Sequence, residues 1–204
     1  PVGLILLTLI PIVAGAARVT ELSGAPAITA DNARFVTSPI PVIVHIVGAT
    51  LFSILDAFQS VPGLRRCNSR HRLAGRVLVP AGAAVALSGI WMAVISEHAP
   101  ADGVALSALR VIFASLMLAF IALGVRSIIR RDFVSHGAWM TRAYALAVAA
   151  GTQAIVLIPQ TVIFGKYEET SRAVFMGAAW VINLAIAELV IRRRSTRRTV
   201  RSAS

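Results

Sequence analysis

Six apolar runs, at about 2–17, 40–60, 73–95, 104–125, 137–160 and 173–191, leave this chain almost no room for a water-soluble fold. Most of them approach the roughly 20 residues that a helix needs to cross a hydrocarbon core. A backbone in lipid must satisfy its own hydrogen bonds; a helix does this within one segment, whereas an open strand cannot. No alternating barrel pattern competes. The sequence therefore predicts an all-α, polytopic transmembrane bundle, in keeping with 57% hydrophobic and 14% charged residues and a mean hydropathy of +0.78. Residues 1–191 read as one transmembrane domain and 192–204 as a mobile basic tail. The first run is short and starts at Pro1; with no small-residue cleavage site behind a basic region, an anchor is expected rather than a cleaved signal.

Loop charges set the orientation, because Lys and Arg accumulate on the cytoplasmic side. Arg65, Arg66, Arg70 and Arg72 follow the second run, and Arg126, Arg130 and Arg131 follow the fourth. Arg192, Arg193, Arg194, Arg197, Arg198 and Arg201 follow the sixth. The opposite loops hold Arg18, Glu21, Asp31 and Arg34, then Glu97 and Asp102, then Lys166, Glu168, Glu169 and Arg172. An even number of spans with this asymmetry predicts both termini in the cytoplasm. It also accounts for most of the formal net charge of +11. Attraction to anionic lipid headgroups is the expected consequence, and no motif or interleaved aromatic residue points to nucleic acid. Cys67 is the only cysteine, which excludes an internal disulfide.

Four positions repeat at a spacing of 65 residues. Arg65-Arg66 with His71 recurs as Arg130-Arg131 with His136, and His45 then falls on Arg110. The offset superposes the hairpin of runs two and three on that of runs four and five, a four-helix core of two similar halves. Two imidazoles at equal depth on facing helices suit the axial positions of a b-type haem. In that reading His71 and His136 ligate the iron, Gly75 leaves space for a flat ligand, and Arg76 and Arg142 meet the propionates. His45 lies too far along its helix to share that iron; an outer site would draw on His45, His98 and Arg110. The bland alternatives are interfacial histidines bonded to helix-end carbonyls and small residues that let helices pack closely. Asp56 is expected to pair with Arg76 or Arg142, and Glu188 with Arg192 at i+4. No hydrolase, nucleotide-binding or metalloprotease motif is present, and nothing assigns a reaction class.

The strings His71-Arg72-Leu73-Ala74-Gly75-Arg76 and His136-Gly137-Ala138-Trp139-Met140-Thr141-Arg142-Ala143-Tyr144-Ala145-Leu146 go further. With His45 and Phe58-Gln59, they resemble the bacterial integral membrane proteins grouped as domain of unknown function 2306, over about 40 to 160. That resemblance implies a multi-pass protein of the bacterial inner (cytoplasmic) membrane and carries no activity. More distantly, the order His45, Gln59, basic loop, His71, Gly75 is similar to ascorbate-reducible di-haem transmembrane b-type cytochromes. That family holds one haem near each membrane face, between histidines on alternate core helices. His71 and His136 match its inner pair and His45 one outer ligand, while Arg110 stands where the second outer histidine belongs.

Three functions follow as expectations. The first is electron transfer through one haem b near the cytoplasmic face, to or from a quinone or a redox partner protein. The second is a non-catalytic accessory or scaffold subunit of a larger membrane complex, embedded in membrane lipids. The third is a small-solute or proton transporter.

Overall fold

The structure, a computed structural model, describes residues 2–29, 32–59, 68–96, 102–164 and 168–202. In chain order its helices are α1 (Val2–Ser23), α2 (Ala33–Val36), α3 (Pro39–Gln59), α4 (Asn68–Val94), α5 (Val104–Ile129), α6 (Phe133–Ala147), α7 (Ala149–Phe164) and α8 (Glu169–Ser202). Stretches long and apolar enough to cross a membrane are Arg72–Val94, Val104–Ile129, Phe133–Ile158 and Glu169–Thr196; the apolar part of α3, Pro39–Leu55, is shorter. The chain is thus an α-helical, multi-pass membrane bundle.

Helices α3 to α6 pack in sequence, each on the next. Between them lies a core built on Phe52, Leu78, Ala81, Val85, Met117, Ile121, Ala143 and Tyr144. One glycine sets its spacing. A Cβ on Gly82 would come within 2.7 Å of the Phe52 ring and 2.8 Å of Ile121, so only hydrogen lets α4 settle between α3 and α5. Around this core, α8 packs on α5, α6 and α7, and α1 packs on α3 and α7.

The connections explain where the helices stop. After α5, the Asp132 amide donates to Ser127 O at 2.9 Å and the Arg131 amide to Ile128 O at 3.0 Å, while Arg131 takes a φ of 61°. This is a Schellman motif, with an arginine in the left-handed position usually given to glycine. Asp132 then caps α6 by accepting the Ser135 amide at 3.0 Å. That hydrogen bonding holds its carboxyl below the ordinary carboxylate range. Between α1 and α2, Asn32 ties the loop together: its Oδ1 accepts the Thr29 amide at 2.7 Å and its Nδ2 donates to Ala27 O at 3.0 Å.

Three sequence expectations change. The run at 137–160 begins earlier, at Phe133, and its helix is interrupted at Val148, between α6 and α7. No proline causes that break; three residues on, a Cβ at Gly151 would stand 2.1 Å from the Leu7 carbonyl oxygen, so α7 starts where α1 presses against it. The tail expected to be mobile from 192 continues α8 as helix to Ser202, through a stretch with neither glycine nor proline to stop it. Glu188 pairs with Arg142 rather than Arg192, because α6 brings a guanidinium to it from a neighbouring helix. The side chain of Asp56 lies outside the described residues.

Candidate functional site

A slot opens along the axis of the bundle, with a cavity volume of about 370 Å³. Helix periodicity builds it. Val42, His45, Ile46, Ala49, Thr50 and Ser53 line it from one face of α3, at the three- and four-residue steps that bring side chains onto a common stripe. The α4 wall runs from Val85 to Ala93, with Ser96 just past the helix end, and α5 adds Arg110, Phe113, Ala114 and Met117. Eleven residues of helix separate the ends of the α3 stripe, a length of about 16 Å at 1.5 Å per residue. Phe113 and Trp180, stacked at 4.8 Å, close one side from α5 and α8. Phe52 and Ile121, in the core beneath, lie just past the inner end. Small residues, Ala49, Ala86, Gly89, Ala93 and Ala114, leave the space open.

One carboxylate and three arginines gather at the opposite end. Asp102, in the segment before α5, has a fully enclosed side chain. Its Oδ2 accepts from Arg34 Nη1 and from Arg110 Nη1, each at 2.8 Å, and Arg172 Nε stands 2.9 Å from its Oδ1. The cluster joins the α2 helix, α5 and the first turn of α8. Burial works to raise the Asp102 pKa, but Arg110, Arg34 and Arg172 outweigh it and hold the carboxyl below its usual range. Arg34 and Arg110 also line the slot. Only the carboxylate is fully enclosed; the three arginine side chains keep 19–26% of their surface exposed, and Glu169 brings a second carboxylate beside Gly103. Arg34 Nε and Ser96 Oγ, both at this end of the slot, are buried donors with no partner among the described residues.

His45 sits on the slot wall in a fixed tautomer. Its Nδ1 lies 3.0 Å from Val85 O and 3.1 Å from Ser88 Oγ. The Ser88 hydroxyl spends its hydrogen on Ala84 O at 2.6 Å, so both neighbours of Nδ1 are acceptors. The proton is therefore on Nδ1, and Nε2 keeps its lone pair. Nδ1 and Cε1 lie against α4, where a Cβ on Gly89 would be 3.5 Å from Cε1. Nε2, left without a proton, is able to accept a hydrogen bond.

The 65-residue repeat has a structural counterpart. His45 is the seventh residue of α3 and Arg110 the seventh of α5. Of the residues singled out in sequence, the structure brings His45 and Arg110 to one cavity. His136 Nδ1 bonds Gly124 O on α5 at 2.9 Å. A Cβ on Gly75 would meet nothing within 4 Å, and Arg76 is exposed. Arg142, expected at a propionate, instead holds Glu188 and lies 4.6 Å over the Trp139 ring. The His71 side chain and all of His98 lie outside the described residues. Sequence reasoning missed Arg34, Asp102 and Arg172 as a unit, since the Arg34 contact bridges 68 residues and leaves no local pattern.

No curated protein and no solved structure matches this chain. Residues 42–191 do match a family model described as a predicted membrane protein, domain of unknown function 2306, and the chain belongs to that family.

Proposed function

We propose that this protein binds a single-chain lipophilic molecule inside the membrane, in the slot between α3, α4, α5 and α8. The observation that carries this reading is the slot itself: long, narrow and apolar along its walls, with polar groups confined to His45, a few hydroxyl and amide side chains, and the arginine end. Preformed apolar pockets with a few convergent polar groups are the usual form of small-ligand sites. From the arginine asymmetry of the loops, the Asp102 end faces away from the cytoplasm. The test is displacement of a fluorescent fatty-chain probe from purified protein. Gly89→Leu and Ala114→Trp, which fill the slot from α4 and α5, should abolish probe binding while the protein still folds. Undiminished binding by both folded variants would sink the reading.

A second reading is a b-type haem held by His71 and His136 in an electron-transfer protein, with a quinone or a partner protein as the redox mate. One observation favours it: His136 commits Nδ1 to the Gly124 carbonyl, the arrangement that leaves Nε2 available in metal-ligating histidines. The expected result is a sharp reduced α band in purified protein, lost in His71→Ala and in His136→Ala. A colourless preparation that gains no such band on haem addition would end this reading.

A further inference from the structure

We infer that the slot takes a single-chain lipid anion, whose carboxylate or phosphate head sits between Arg34 and Arg110 while its chain runs inward past His45. This rests on the slot being a ligand site and adds the chemistry of the head group.

Arg34 and Arg110 come from distant parts of the chain, yet both converge on one oxygen, Asp102 Oδ2. A guanidinium has five N–H donors, and one shared carboxylate oxygen cannot satisfy those of both Arg34 and Arg110. At the same end of the slot Arg34 Nε and Ser96 Oγ are enclosed without partners. Enclosed donors left unpaired are costly. An anion entering between the arginines would satisfy both at once through charge-assisted hydrogen bonds. Glu169, whose carboxylate lies beside Gly103, is exposed to solvent or lipid and does not line the slot. Below the arginines the wall turns apolar, with Phe113, Met117, Met176 and Trp180, so a free inorganic anion would leave most of the slot unfilled.

The experiment uses the full chain, purified in neutral detergent, with three competitors of equal chain length against the same fatty-chain probe. Palmitate carries a carboxylate, hexadecyl phosphate a phosphate, and hexadecanol neither. Palmitate, hexadecyl phosphate or both should compete at least roughly tenfold better than hexadecanol, the worth of one charge-assisted hydrogen bond. Whichever head wins identifies the anion. Arg34→Gln should erase the advantage of the acids over hexadecanol. Asp102→Asn, which removes the internal counter-ion, should shift the other way and tighten the acids. Equal competition by all three would overturn the anionic head while leaving a lipophile slot. Failure of all three to displace the probe would overturn the slot as well. The wild-type comparison decides the matter even where a variant does not fold.

Discussion

Arg142 of α6 and Glu188 of α8 meet fork to fork, Nη2 to Oε2 at 3.0 Å and Nε to Oε1 at 2.5 Å. The guanidinium also lies 4.6 Å over the Trp139 ring, and the pair ties α8 to α6. Arg142→Met and Glu188→Leu should each lower the melting temperature in detergent. The double variant should lose less than the two losses added. A coupling of about 1 kcal/mol is expected, because Glu188 keeps 39% of its side-chain surface exposed. Strict additivity would show that the pair contributes nothing to stability.

The Asp102 cluster predicts an acid-labile end of the molecule. A carboxyl whose folded pKa is depressed stabilises the fold above its unfolded value of about 3.9 and loses that contribution as pH falls through the lower, folded value. Thermal stability should therefore drop below about pH 4. In Asp102→Asn the same acid limb should be shallower. Identical pH profiles would mean that other carboxylates carry the acid response.

Gly151 admits the Leu7 carbonyl to a place where a Cβ would lie 2.1 Å away, and the atom it would strike is backbone. Gly151→Ala should push α1 off α7 and expose the first helix to limited proteolysis. Gly75→Ala, where a Cβ meets nothing within 4 Å, is the matched control and should leave the digestion pattern unchanged.

Arg131 holds a left-handed backbone, with φ at 61°, at the end of α5. A left-handed residue other than glycine costs about 1 kcal/mol. Arg131→Gly should raise stability by up to that amount in a thermal melt, since it relieves the strain and keeps the Schellman hydrogen bonds. A lowered melting temperature would mean that the arginine side chain contributes more than its backbone costs.

The sequence alone determined that the chain is helical and lies in lipid, because hydropathy over twenty residues and the need to satisfy backbone hydrogen bonds leave no other solution. It also marked the two hairpins: His45 and Arg110 keep the same position in their helices, as the 65-residue spacing required. Helix ends were less legible, since the break at Val148 and the persistence of α8 to Ser202 depend on what packs beside them. Only tertiary structure decided which polar residues meet. Periodicity places a residue on a face, but the partner across the gap comes from another helix with its own rotation. So Arg142 found Glu188, and Arg34, Arg110 and Arg172 found Asp102 from three separate parts of the chain. The slot, too, arises only from assembly: it is space left between small residues on neighbouring helices, and no single segment encodes an absence.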